Sequence, residues 1–277
     1  MLRGLALGFL VVALARPQQP VGETKIMAEG IDIVLCLDVS GSMLAEDYEV
    51  EGRRRSRIDV VKEVVKDFIL RRTNDRISMI AFAGRPYTVC PLTLDHDWVV
   101  TRLETVRPGL IEDGTAIGSG LGASVNRLRE LKAKSRVVVL LTDGVNNAGK
   151  LTPDMAADAA QSLGIKLYTI GAGSEGVAPM PVQDPQGRPL GYRMIQADLD
   201  EALLKRMAEK TGGRYFRAAD TKQLQQIYAT IDKLEKRKIE APSYQQMHEL
   251  FAWFLWPGLA MLVVEVGLGQ TRLRKLP

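Results

Sequence analysis

Residues Ile31–Met43 read IDIVLCLDVSGSM, an apolar run that ends in Asp38, Ser40 and Ser42. A short run of this kind, bounded by turn residues, suits a strand covered on both faces in the middle of a parallel sheet. Alternate side chains of an extended backbone point the same way, so residues spaced by two at its end can converge above the sheet. Here they are a carboxylate and two hydroxyls, with Gly41 allowing a sharp turn between the serines. Hard oxygens with few carboxylates suit Mg²⁺ or Mn²⁺. Taken alone, the triplet has a more ordinary reading as the cap of a helix beginning near Met43, because Asp and Ser are favoured caps.

Two further stretches supply the same kind of group. Glu112-Asp113-Gly114-Thr115-Ala116 precedes a helix rich in small residues, and Val137–Asp143 (VVVLLTD) is a second apolar run ending in a carboxylate, followed by Gly144. Thr115 sits where a loop enters a helix, and Asp143 at the C-terminal end of a neighbouring strand. Ligands of open α/β sheets gather in the crevice outside such strand ends.

Asp38-x-Ser40-x-Ser42, Gly114-Thr115 and Thr142-Asp143-Gly144, in that order, resemble the complete metal-ion-dependent adhesion site of a von Willebrand factor type A (VWA) domain. The resemblance covers Ile31 to about Lys238. It implies that Ser40, Ser42 and Thr115 offer hydroxyls to Mg²⁺ (or Mn²⁺), while Asp38 and Asp143 bind the ion directly or through water. A site so rich in neutral hydroxyls leaves the cation short of negative charge, so a protein partner's Asp or Glu can complete its coordination. The resemblance extends to membrane-anchored VWA proteins of bacterial aerotolerance (Bat) operons, the BatA/BatB-like type. It is carried by FAG at Phe82–Gly84, CPLTLD at Cys90–Asp95, GTAIG at Gly114–Gly118, LLTDGVNNAG at Leu140–Gly149 and YTIGAG at Tyr168–Gly173. Such proteins are associated with other membrane VWA proteins, with MoxR-type AAA+ ATPases, and with envelope assembly or stress tolerance, so the resemblance implies partners of that kind.

The intervening chain alternates strands and helices. Arg57–Arg72 carries apolar residues at helical spacing, Asp75–Ala83 reads as a strand, Tyr87–Cys90 as a short antiparallel one, and Asp95–Val106 as a helix. Ala116–Lys132 is helical; its Gly118, Gly120 and Gly122 fit neither dinucleotide nor Walker spacing and suit close packing on the sheet. Arg136–Leu141, Pro153–Leu163 and Ile165–Gly171 continue as strand, helix and strand, then Asp198–Lys210, Arg214–Arg217 and Thr221–Leu234 as helix, strand and helix. The rhythm predicts an α/β fold, Rossmann-like and doubly wound, with a mainly parallel sheet flanked by helices. Residues 31–238 form this domain, with a hairpin insertion near 176–195 that holds four prolines. Glu46–Arg57, including Arg53-Arg54-Arg55, reads as a solvated charged loop, the alternative being a contact with an acidic partner beside the metal.

The ends are apolar. Leu250–Gly269 is a twenty-residue segment with Trp253 and Trp256 near its start, long enough for a transmembrane helix, and a basic tail at 270–277 follows. Glu265 is costly at membrane depth unless it lies near the interface or faces a partner helix. The trailing cations place the domain on the extracytoplasmic side of a bacterial inner membrane, against Lys233, Lys236, Arg237 and Lys238 before the segment. Residues 1–17 hold a shorter apolar stretch, Gly4–Ala15, of about 18 Å as a helix. It reads as a signal peptide, as a crossing that needs help, or as the tail of a longer membrane helix; Ala15-Arg16-Pro17-Gln18 favours the last by resemblance. Residues 18–30 and 239–249 read as linkers.

Hydrophobic residues make up 46% of the 277, enough for a sizeable core, and a formal net charge of +4 without a long basic block gives no support for nucleic-acid binding. Cys36 and Cys90 have neither zinc spacing nor a disulfide framework and read as unpaired thiols, the alternative being a disulfide between them in an oxidising compartment. The two histidines, His96 and His248, pair with no evident nucleophile, and there is no Gly-x-Ser-x-Gly elbow, so the expectation is a binding module and not an enzyme. The alternatives are a metal-assisted hydrolase and a structural VWA scaffold whose site stays empty.

Overall fold

The structure, a computed structural model, describes residues 2–24, 30–50, 52–131, 135–174, 176–184, 186, 188–236 and 244–271. In chain order the elements are α1 (Leu2–Leu14), β1 (Gln18–Thr24), β2 (Asp32–Asp38), a 3₁₀ turn (Gly41–Leu44), β3 (Tyr48–Val50), β4 (Arg53–Arg55), α2 (Arg57–Leu70), β5 (Arg76–Phe82), β6 (Pro86–Thr93), α3 (His96–Glu104) and α4 (Ile117–Leu128). There follow β7 (Arg136–Thr142), α5 (Pro153–Ser162), β8 (Lys166–Ala172), β9 (Gly176–Gln183), β10 (Pro189–Ala197), α6 (Glu201–Lys210), β11 (Tyr215–Ala218), α7 (Thr221–Lys236), β12 (Tyr244–Glu249) and α8 (Phe251–Thr271). They divide into two compact units, residues 29–239 and the two chain ends together.

In the larger unit six strands form one sheet in the order β11-β8-β7-β2-β5-β6. All neighbours are parallel except the edge strand β6, which runs antiparallel to β5. The apolar run at 31–43 becomes the central strand: all seven residues of β2 are buried, because β5 and β7 flank it and helices cover both faces. One apolar cluster joins β2 to α2, α3 and α7, with Leu35, Val61, Val65 and Tyr228 among its members; the other joins it to α4, α5 and α6 through Val34, Cys36, Leu121 and Leu204. This is the doubly wound sheet that the alternating pattern predicts.

Local chemistry sets the helix starts. Ser56, Asp95, Thr152 and Asp200 each accept a hydrogen bond from the backbone N–H three residues on, and Pro153 occupies the first turn of α5. The glycines of α4 serve packing. A Cβ on Gly118 would fall 2.1 Å from the Leu151 carbonyl oxygen, and one on Gly120 would fall 2.9 Å from the Phe82 ring. Cys36 and Cys90 are buried free thiols.

Glu46–Arg57 differs from the expected solvated loop. It folds as the small hairpin β3–β4, Tyr48 is buried, and its hydroxyl donates to the Ala218 carbonyl at 2.6 Å. The insertion near 176–195 is a hairpin, as the prolines predict, with β9 and β10 paired antiparallel.

The smaller unit is built from both ends of the chain. Gln18–Thr24 and Tyr244–Glu249, expected as parts of linkers, pair as the antiparallel strands β1 and β12. Phe9 of α1 and Phe254 of α8 pack with ring centroids 6.4 Å apart, and Gly258 leaves room for Phe9 and Leu10. Among the described residues α8 alone is long and apolar enough to cross a membrane, about 31 Å for its 21 residues; α1 is shorter. Glu265 lies 3.9 Å from the Arg3 guanidinium, an opposite charge on the neighbouring helix. Residues 25–29, the expected domain end at Lys238 and residues 272–277 of the expected basic tail lie outside the described residues.

Candidate metal centre

The C-terminal ends of β2 and β7 lie side by side, Leu37 opposite Leu141, so Asp38 and the Thr142-Asp143 pair emerge at the same edge of the sheet. Thr142 Oγ1 donates to Asp38 Oδ2 at 2.6 Å, and the Ser40 N–H donates to Asp38 Oδ1 at 2.8 Å. Ser40 Oγ lies 3.0 Å from Ser42 Oγ, whose hydroxyl donates to Asp143 Oδ1 at 2.7 Å. Asp38, Ser40, Ser42 and Asp143 thus form one continuous polar chain. The ordinary reading of the serines as helix caps is not what the fold uses: Ser40 precedes only a one-turn 3₁₀ segment and makes no side-chain cap bond.

Thr115 joins this group from the other side. Its N–H donates to Asn147 Oδ1 at 2.7 Å, and the Asn147 N–H donates back to the Thr115 carbonyl at 3.1 Å. A Cβ on Gly144 would stand 3.5 Å from Thr115 Oγ1, which places this hydroxyl beside the chain that follows Asp143. Gly114, with φ +130, makes the turn that delivers Thr115 in a backbone conformation that side chains disfavour, and a Cβ there would press on Ala148 and Gly84 at 3.2 and 3.3 Å. All five residues singled out in the sequence are therefore brought to one place.

Four neighbours lie outside the five expected ligands. Arg57 is fully buried and donates from Nη1 to Asp143 Oδ2 at 2.7 Å, and from Nε and Nη2 to the two carboxylate oxygens of Asp47. Asp47 in turn accepts from the N–H and hydroxyl of Ser174, beyond the end of β8. Asp113 accepts from the Gly41 N–H at 2.8 Å and so holds the turn between Ser40 and Ser42. Thr142 belongs to the quoted motif, but its bond to Asp38 was not foreseen. Nothing in sequence separates Arg57 from the triple arginine just before it; Asp113, next to Gly114-Thr115, was the more accessible signal.

Burial pushes the Asp38 carboxyl up to about 7, the charge of Asp143 adding to the effect against the hydrogen bonds from Ser40 and Thr142. Asp143 is also pushed up by burial, while Arg57 and the Ser42 hydroxyl pull the other way. Two buried carboxyls that repel one another, bordered by three hydroxyls, form a donor set that fits a small hard dication. Among the described residues no three His, Cys, Asp or Glu side chains converge, so the set relies on hydroxyls and not on carboxylates or soft ligands alone.

The sequence profile of the von Willebrand factor type A domain matches residues 32–230. The chain belongs to the VWA family. Its domain is similar to two solved structures, an aerotolerance-related membrane protein of Bacteroides fragilis and BatB of Bacteroides thetaiotaomicron. Each is 28% identical, with a TM-score of 0.62 over 75% of this chain and 100% of the other. An uncharacterized protein of Borreliella burgdorferi is 29% identical over 94% of this chain and 75% of its own length. A Nocardia farcinica UPF0353 protein is 26% identical over 84% and 70%. This VWA protein is therefore related to the BatB aerotolerance membrane proteins, and α8 gives it one C-terminal candidate span.

Proposed function

We propose that this protein is a membrane-anchored VWA module that binds a protein partner through a divalent cation, Mg²⁺ or Mn²⁺, held by Asp38, Ser40, Ser42, Thr115 and Asp143. The observation that carries this reading is the convergence of those five residues at the ends of β2, β7 and the loop before α4. When bound, the cation supplies a Lewis-acidic position that accepts a partner's carboxylate oxygen. The protein's own groups hold that position and set its charge. Arg57 cancels part of the negative charge that Asp38 and Asp143 offer, which leaves a dication short of anionic ligands and receptive to a partner's Asp or Glu. By relationship to BatB proteins, the setting is a bacterial envelope complex at the inner membrane, with the domain on the extracytoplasmic side. Its companions there are other membrane VWA proteins and a MoxR-type ATPase, in stress tolerance or protein assembly.

The test is calorimetry of the full chain in detergent with Mg²⁺ and with Mn²⁺, beside Asp38→Ala and Ser40→Ala. Saturable binding in the parent, lost in both variants while circular dichroism stays unchanged, is the expected result. A folded parent that takes up neither ion overturns the metal-dependent reading and leaves a structural scaffold.

A further inference from the structure

The β9–β10 hairpin has two unlike edges. Opposed residues of an antiparallel pair alternate between those that bond each other and those whose N–H and C=O point away. The carbonyl of Pro179 accepts from the Glu46 N–H at 2.8 Å, so Pro179 faces away from β10 and toward the chain that follows the metal loop. Pro181, two residues on, faces the same way, and neither proline has an N–H to offer. The outer edge of β9 is therefore both occupied and closed.

β10 is the opposite case. Met194 stands across from Pro179, Tyr192 across from Pro181 and Gln196 across from Val177, so all three direct N–H and C=O outward. Among the described residues no further strand pairs with them. The faces also differ. Ala178 is buried, and Met180 and Ile195 are half-buried, whereas Val177, Tyr192 and Met194 are 56%, 63% and 59% exposed. An open edge thus runs beside an exposed apolar row. Natural proteins usually block such edges, as the prolines block β9.

The strand itself carries a cation. Arg193, on β10, is exposed and enters no ion pair among the described residues. The Tyr192 hydroxyl reaches toward the other edge, donating at 3.0 Å to Glu46, the residue whose N–H bonds Pro179. Arg188 is already paired with Asp184. A second copy of this chain pairing through β10 would bring two Arg193 side chains onto one face, which like-charge repulsion disfavours.

We propose that the outer edge of β10 is a strand-addition site for an extended, acidic segment of the partner protein. Its backbone bonds Tyr192, Met194 and Gln196, its alternate apolar side chains cover Tyr192 and Met194, and a carboxylate on its other face meets Arg193. The inference deepens the metal-dependent reading by giving the same partner a second hold, because β9 carries the hairpin on the chain that follows the metal loop.

The test uses the full chain in zwitterionic nanodiscs and a fluorescent decapeptide of alternating valine and glutamate. Two control peptides accompany it, one with lysine for glutamate and one N-methylated at alternate residues. The expected result in Mg²⁺ is saturable binding of the acidic peptide alone, with slowed amide exchange at Tyr192, Met194 and Gln196. Met194→Pro removes one outward N–H and should weaken binding about tenfold or more. Arg193→Glu keeps the backbone and should transfer the preference to the lysine peptide. Peptide binding that is lost in Met194→Pro, by a folded chain that takes up neither Mg²⁺ nor Mn²⁺ in calorimetry, keeps strand addition and sinks the metal-dependent reading. Mg²⁺ uptake without peptide binding does the reverse. Equal binding by parent and Met194→Pro, or protection of these amides by protein concentration alone, overturns strand addition.

Discussion

Arg57 and Asp143 form an ion pair at 2.7 Å in which neither side chain reaches solvent. Removing one member of such a pair strands the other's charge in a low-dielectric interior, at a cost of about 3–5 kcal/mol. Arg57→Met should therefore lower stability by that order in urea unfolding. Arg57→Lys should recover little, because a single ammonium cannot reproduce the fork that grips Asp47 and Asp143 together. In the double variant Arg57→Met with Asp143→Asn, most of the loss should not be additive.

Asp38 must be ionised to hold a cation, and its carboxyl is pushed up to about 7 by burial and by Asp143. Mg²⁺ affinity should thus fall as pH drops through that value, since the proton competes for the same oxygens. Thr142→Val removes a donor that favours the ionised form, so the fall should move to higher pH. It should also cost about 1–3 kcal/mol of stability for a buried acceptor left unmet. Calorimetric titrations from pH 5.5 to 8.5 would read both effects, and identical pH profiles would contradict the role given to Thr142.

Glu235 anchors α7 to the sheet. Burial alone would raise its carboxyl, but hydrogen bonds from Lys166, Tyr168 and Ser135, with the Lys166 charge, hold it below the usual glutamate value of 4.5. A carboxyl held low contributes stability that is fully present above 4.5 and is lost as pH falls below it. Glu235→Gln should be less stable than the parent at pH 7, and the gap should narrow in urea titrations carried toward pH 3.

Gly118→Ala should prevent the close seating of α4 on the 151–153 segment, since the added carbon would meet the backbone carbonyl of Leu151. A cost of about 1–3 kcal/mol is expected from forced displacement, read as a lowered thermal midpoint. An unchanged midpoint would mean that the segment yields freely.

What the sequence made legible follows from range. The β2 and β7 runs announce buried parallel strands because every side chain in them is apolar, and the turn residues after them announce the site. The five proposed ligands come from three such strand or loop ends, each readable by itself. Arg57 and Asp47 were not readable, since an arginine that follows a run of three others shows its burial only when Asp143, 86 residues away, arrives beside it. The strands of the smaller unit escaped for the same reason: QQPVGET carries no alternating apolar face, and its pairing is supplied by Tyr244–Glu249 at the other end of the chain.

That last pairing sets an order of events during synthesis. β1 leaves the ribosome early, whereas β12 and α8 come after the whole VWA domain, so α1 and β1 must wait through more than two hundred residues for their partners. Domains generally fold as units while the chain grows. The VWA sheet can then close first, and the terminal unit is completed last. A chain released before β12 is made therefore carries every strand of the VWA sheet and a β1 that lacks its partner.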